Sequence, residues 1–328
     1  MTKKTPVDII FFMKSILLIT CYFGKFPNFF NFYLKSAGYN STVNFLLVTD
    51  DRDKYDYPEN VKVLYKSFEE FKKEAQNIFD FPINLDSPYK LCDYKPVYGK
   101  IFYEIVKNYD FWGYCDIDLI WGNIRSFLTD EVLNYGYDKI QTAGHFTIMP
   151  TSEESVNFYK QSVTGYPDYE KVYSSSANFA YDEWPGLAGK YKALGKKIYN
   201  EVNDFSDLSY RVKYFLPSEE FYRRKYCDKK WFRKNIVFYY KKGELFVVGI
   251  VDGKVDLKQS MYVHFQKRKI KTVCNLNDEF VILPYGKFED KISDFTVKYL
   301  KKNAKESKIN FNYLKIKWKN LLRKLKKK

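Results

Sequence analysis

The chain has 328 residues, 45% of them hydrophobic and 20% aromatic, which excludes a disordered protein and suffices for one large α/β domain. Its formal charge of +15 suggests nucleic acid, yet residues 298–328 alone hold 13 of the 55 Lys/Arg and one of the 40 acids. The body is left with 42 basic and 39 acidic side chains, too balanced to line a nucleic-acid cleft.

The apolar runs at 9–12 and 16–20 have the look of a short signal sequence, but Lys14 and Ser15 interrupt them. A bilayer span needs ~20 uninterrupted apolar residues, and no small-residue cleavage site follows. Residues 15–22 are therefore expected as a first buried strand, with Met13 an alternative start. A turn at 24–27 leads into a helix over 28–37, stopped by Gly38. NFLLVTDD reads as a second strand ending in acids, and VKVLYKS as a third. FEEFKKEAQNIF carries Phe68, Phe71, Ala75, Ile78 and Phe79 at helical spacing. CDYKPVYGKIFYEIVKNY reads as a turn entering a helix, followed by the strand-like FWGYCDIDLIWGNI. Beyond Gly144, GHFTIMP is a strand, EESVNFYKQS a helix and DEWPGL a turn. IVFYYKKGELFVVGIVDGKV reads as a hairpin about 241–243, and MYVHFQKRK as a last short strand before the tail.

Strands alternating with helices imply a mostly parallel sheet covered on both faces, with ligands outside the carboxyl ends of the strands. Without a Ser/Gly-rich linker or repeat, one domain over 1–295 and an appendage over 296–328 are expected. The five cysteines are scattered with no CxxC pair, so neither a zinc site nor a disulfide framework is readable and a reducing compartment is expected.

FWGYCDIDLIWGNI sets Asp116 and Asp118 in an apolar run, where carboxylates are not buried without a partner. In a strand, residues two apart share a face, so both carboxylates would project together and could share Mn²⁺ or Mg²⁺. Such a metal binds the phosphates of a nucleotide and neutralises a departing phosphate.

The block from Lys90 to Leu128 resembles bacterial GT-A-type nucleotide-sugar glycosyltransferases, closest to a little-characterised family from polysaccharide biosynthesis clusters. The likeness covers most of residues 14–270 and is strongest at DYKP, FWGYCDIDLIWG, GHFTIMP, DEW and HFQKRK. It implies a GT-A-like (Rossmann-like) α/β fold with a mixed, mostly parallel sheet flanked by helices. His264, one of only two histidines, would complete the metal set of Asp116 and Asp118. Lys267 and Arg268 would grip diphosphate oxygens. Asp93 would face a sugar hydroxyl and Lys95 the phosphate or sugar, although Asp93 also reads as a helix cap. Thr20 and Tyr22, with Asp50 and Asp51, lie where the base and ribose would bind, although turn chemistry accounts for these acids equally well. His145 and Trp184 are expected to contact the acceptor. Asp182 or Glu183 would be the general base of an inverting reaction or would orient the donor in a retaining one.

In FNYLKIKWKNLLRKLKKK, Phe311, Leu314, Trp318, Leu321, Leu322 and Leu325 recur at three- and four-residue steps among basic residues. That is a basic amphipathic helix suited to an anionic membrane surface. The expected protein is a hexosyltransferase-type enzyme of capsule or lipopolysaccharide biosynthesis. It would transfer a sugar, most readily from a UDP-sugar, to a glycan or lipid-linked acceptor. Its place would be the cytoplasm, bound peripherally to the inner face of the cell membrane, with no nucleic-acid partner. The alternatives are a non-catalytic membrane-associated adaptor that retains the fold, and a metal-dependent phosphoryl-transfer enzyme.

Overall fold

The computed structural model describes residues 13–201, 204–207, 236–266, 270, 273–283, 286–290, 294–304, 314, 315 and 318. Strands β1 (Ile16–Tyr22), β2 (Val43–Thr49), β3 (Val61–Tyr65) and β4 (Phe111–Cys115) are parallel neighbours in the order β3-β2-β1-β4. The chain then leaves this sheet for β5 (Leu119–Trp121) and returns as β6 (Lys139–Ala143), β7 (Phe146–Pro150) and β8 (Ile198–Tyr199). The order continues β4-β7-β6-β8, with β7 alone running against the rest, so the mostly parallel mixed sheet is present.

β1 is apolar at consecutive positions because both of its faces are covered. Leu17 and Ile19 point into one core, against Phe71 and Ala75 of α2 (Phe68–Gln76). Ile16 and Leu18 point into the opposite core, against Phe30, Tyr33 and Leu34 of α1 (Phe30–Gly38). Each such side chain contributes about 1.5–3 kcal/mol by burial. A Ser67–Glu70 capping box starts α2.

The turn and helix expected over 92–109 form a chain of short pieces, α3 (Leu91–Tyr94), α4 (Tyr98–Ile101) and α5 (Tyr103–Val106), with a 3₁₀ turn at Lys95–Val97. Pro96 lacks the N–H that a continuous helix would need there. Further on come α6 (Asp130–Asn134), α7 (Glu153–Asn157), α8 (Tyr169–Ser174) and α9 (Leu187–Ala193). Gly99 lets α4 press onto the sheet, because a Cβ there would lie 2.6 Å from the buried Trp112 ring.

Two smaller sheets complete the body. β5 pairs antiparallel with β13 (Tyr262–His264), which pairs parallel with β9 (Ser206–Asp207). The hairpin expected about 241–243 is there, between β10 (Val237–Lys241) and β11 (Glu244–Val251), and β12 (Lys254–Gln259) extends it. Both two-residue turns, Lys242-Gly243 and Asp252-Gly253, have positive φ throughout, as tight hairpins require. β13 is not the last strand: β14 (Glu279–Leu283) and β15 (Lys287–Asp290) join the meander, in the order β12-β11-β10-β14-β15. One face of the meander packs on Phe29, Phe32 and Ile120, and the other on Leu300 and Ala304 at the end of α10 (Val297–Asn303).

Of the expected basic tail helix, Leu314, Lys315 and Trp318 are helical, with Leu314 54% and Trp318 62% exposed; the remainder lies outside the described residues. Among the described residues no helix is long and apolar enough to cross a membrane. Cys21, Cys92, Cys115 and Cys274 are free thiols, and Cys227 lies outside the described residues.

Candidate metal centre and active site

β1, β2 and β4 end at one edge of the large sheet, at Tyr22, Thr49 and Cys115. The β6–β7 turn, which contains Gly144 and His145, lies at the same edge because β7 pairs Phe146 with Cys115. The pairing extends one residue further, where the Asp116 N–H donates to the His145 carbonyl at 3.0 Å.

There the chain departs from the expected single strand. β4 stops at Cys115, residues 116–118 turn, and β5 belongs to another sheet. Asp116 and Asp118 therefore converge because the chain crosses between sheets, not through the two-residue period of one strand. β5 then brings the third residue: Leu119 faces His264, and the Phe265 N–H donates to the Asp118 carbonyl at 3.0 Å. Trp121, Phe146 and Tyr262, with ring centroids 5.3–5.7 Å apart, fasten the small sheet to the large one.

As a result Asp116, Asp118 and His264 each offer a ligand atom within 4.8 Å of the others. His264 Nε2 lies 3.2 Å from Asp118 Oδ1 and 3.8 Å from Asp116 Oδ2. Neighbouring corners of an octahedron with metal–ligand bonds of about 2.1 Å lie about 3.0 Å apart, so the pair at 3.2 Å is close to that spacing and the pair at 3.8 Å would close in on a bound ion. Two carboxylate oxygens and an imidazole nitrogen suit Mn²⁺ or Mg²⁺, and the donor set fits such an ion. The carboxylates remain 31% and 25% exposed, so the cluster opens to solvent.

Lys95 braces this cluster from beneath. Its ammonium lies 2.5 Å from Asp116 Oδ1, 3.0 Å from Asp182 Oδ2 and 2.8 Å from the Gly144 carbonyl. Three protons thus meet three acceptors, which fills the hydrogen-bonding capacity of a lysine. Lys95, expected near the phosphate or sugar, holds Asp116 by one oxygen and leaves the other toward His264, a positioning role. Burial alone would depress the Lys95 pKa, but Asp116 and Asp182 raise it well above its ordinary value.

The two acids on Lys95 are driven apart. Burial would raise Asp116, but Lys95 and then His264 hold its carboxyl below the usual range. Burial raises Asp182, and Lys95 only partly offsets this. Gly144 is required beside it, since a Cβ there would lie 2.3 Å from Asp182 Oδ2. Tyr114 donates its hydroxyl to the Asp182 carbonyl at 2.8 Å. Glu183 and Trp184 follow on the exposed surface, with Lys192 Nζ 5.4 Å above the Trp184 ring.

Several expected contacts have other work in this structure. Asp93 is fully buried, accepting from Lys90 Nζ at 2.7 Å and from the Phe179 and Tyr181 N–H groups. It ties the 177–181 loop to α3, and that burial keeps it from a sugar hydroxyl. His145 is 8% exposed and stacks on His264. The Thr20 hydroxyl donates to the Cys115 carbonyl at 2.9 Å. Tyr22 is half-buried at the end of β1, its hydroxyl raised by burial and by the carboxylates of Asp118 and Asp51. Asp50 accepts from the Gly24 N–H at 2.7 Å, and buried Asp51 accepts from the Phe26 N–H at 3.1 Å, so both brace the turn after β1. Lys267 and Arg268 lie outside the described residues.

One buried cation gave no sequence signal. Lys139, fully buried at the start of β6, reaches the Thr147 hydroxyl at 3.2 Å between the faces of Tyr114 and Tyr191. Burial pulls its pKa down to about 7.

No curated protein is significantly similar to the chain in sequence. Residues 18–291, which include every residue of the cluster, match the family of unknown function DUF6625, and the chain thus belongs to it.

Proposed function

We propose that the chain is a metal-dependent glycosyltransferase with a GT-A-like fold, transferring a sugar from a nucleotide-diphosphate donor to a hydroxyl. The observation that carries this reading is the Asp116–Asp118–His264 cluster, open to solvent at the carboxyl edge of a mostly parallel sheet. Such edges are where α/β folds receive nucleotides. Mn²⁺ or Mg²⁺ bound there would supply charge to a leaving diphosphate.

The chain's own residues have distinct parts in this reaction. Lys95 fixes Asp116 as an anion, and Tyr22, half-buried at the end of β1, is assigned to the base. Asp182 is the acid whose surroundings favour taking up a proton, while Asp116 stays ionised. Acid–base roles follow from such a separation, and Asp182 is accordingly assigned to the acceptor hydroxyl, with Glu183 its exposed neighbour. Trp184 offers an apolar platform beside them. Exposed Leu314 and Trp318, four residues apart on a helical segment within a basic tail, support a peripheral membrane location on the cytoplasmic face and a lipid-linked acceptor.

The test is release of nucleoside diphosphate from a panel of UDP- and GDP-sugars with Mn²⁺, in the presence of membrane extract as acceptor source. Turnover that EDTA abolishes, and that Asp118→Ala lacks, is the expected result. Silence across the panel, with the donors bound no better with metal than without, would overturn the assignment.

A further inference from the structure

We infer that His145 is a positioning residue of the metal centre, tethering two of its three ligands. This rests on the metal-site reading above and deepens it.

The chain's two histidines meet face to face. The His145 and His264 rings have centroids 4.2 Å apart and planes 26° from parallel. His145 is in turn held by the edges of Phe205, at 5.4 Å and 69°, and Tyr262, at 5.6 Å and 76°. Phe205 and Tyr262 are themselves stacked at 5.1 Å and 10°. Tyr262 and His264 are two residues apart on β13 and so share a face, and the His145 ring packs against both.

The geometry matters because an imidazole's ring torsion is broad and roughly two-fold. A ligating nitrogen must nonetheless aim at one point. A flat partner 4.2 Å away restricts that rotation, directing Nε2 toward Asp116 and Asp118. The same residue holds a second ligand through its main chain, by the bond from the Asp116 N–H to the His145 carbonyl. Gly144, immediately before it, gives its carbonyl to Lys95, which holds the Asp116 carboxylate. The β6–β7 turn is thereby a template for the cluster. Only the ring's contribution depends on the side chain at 145.

The test is Mn²⁺ titration of the full-length protein, read by the electron paramagnetic resonance of free Mn²⁺, for wild type, His145→Phe and His145→Leu. Melting temperatures of the metal-free proteins are measured alongside, and Leu fills the space so that folding is preserved. Groups that orient a metal ligand are worth 10–100-fold in metal affinity. His145→Leu is expected to weaken Mn²⁺ binding by about that factor, and His145→Phe, which keeps a flat face, to recover most of it. Bound Co²⁺ should show its visible bands displaced in the Leu variant and not in the Phe variant. Equal affinity in the Leu variant and wild type would overturn the inference, whatever the melting temperatures. Equal loss in both variants would also overturn it, since the ring nitrogens and not the ring face would then matter. A wild-type protein that binds no Mn²⁺ would remove the metal-site reading itself, a separate failure.

Discussion

Replacing Lys95 by Met strips the site of the cation that both Asp116 and Asp182 face. Lys95 is 9% exposed, and Met of similar length leaves the buried Asp182, the partly exposed Asp116 and the Gly144 carbonyl without their donor. Breaking a buried ion pair by removing one partner costs about 3–5 kcal/mol. For a chain of this size, at about 2 °C per kcal/mol, the melting temperature should fall by roughly 6–10 °C. The sign with pH follows from the shifts. The raised Lys95 pKa contributes stability that is present at neutral pH and lost only as pH rises through the folded value. The depressed Asp116 pKa contributes stability that is present above the unfolded value and lost as pH falls through the folded one. The gap between wild type and Lys95→Met should therefore be present at neutral pH and close as pH falls, because without Lys95 both carboxylates take up a proton more readily, Asp182 first since its pKa is already raised by burial. Thermal melts followed by circular dichroism decide the matter. A variant melting within about 2 °C of wild type at pH 7, when a loss several times larger is expected, would refute the reasoning.

Other consequences concern groups outside the cluster. Lys139→Met should stabilise the protein below pH 7 by a few kcal/mol, to order of magnitude, because the folded state carries a buried ammonium whose pKa is held near 7. Between about pH 7 and 10 the unfolded chain binds the extra proton, so wild-type stability rises with pH and the gain should fade. Urea denaturation at pH 6 and 9.5 reads this, and a gain that does not shrink with pH would contradict it. Asp93→Ala should cost about 3–5 kcal/mol by stranding buried Lys90, while the folded fraction keeps its nucleotide affinity. Lost nucleotide binding at unchanged stability would return Asp93 to the donor site. Removing residues 311–328, which hold eight of the basic residues, should abolish sedimentation with vesicles of anionic phospholipid. Undiminished sedimentation of the truncated protein would rule out the tail as the anchor.

The parts of the fold that could be read from sequence are those whose pattern had one physical cause. β1, β2 and β4 are apolar at successive positions because both of their faces are buried, and the first turn of the meander announces itself as Lys-Gly. The pairing of Asp116 and Asp118 with distant His264 was accessible through the resemblance, and the geometry brings all three together. What could not be read depended on three-dimensional pairing. The break after Cys115 arises because residues 119–121 find a better partner in β13 than in the large sheet, and local sequence carries no sign of that. Asp93 and Lys95 stand together in DYKP, yet one braces the 177–181 loop and the other braces the metal ligands. Their neighbours in space, 86 and 21 residues away, decide the difference. β14 carries a consecutive apolar run, FVIL, as β1 does and was legible on the same ground, whereas β15, KFED, has one buried apolar residue to mark it.

The most direct test of the central claim is calorimetric titration of UDP and GDP into the purified protein, with Mn²⁺ and with EDTA, beside Asp118→Ala. The account predicts binding of one nucleotide that requires the metal and disappears in the variant. Binding of neither nucleotide under any metal condition, by a wild-type protein that is folded, would contradict it.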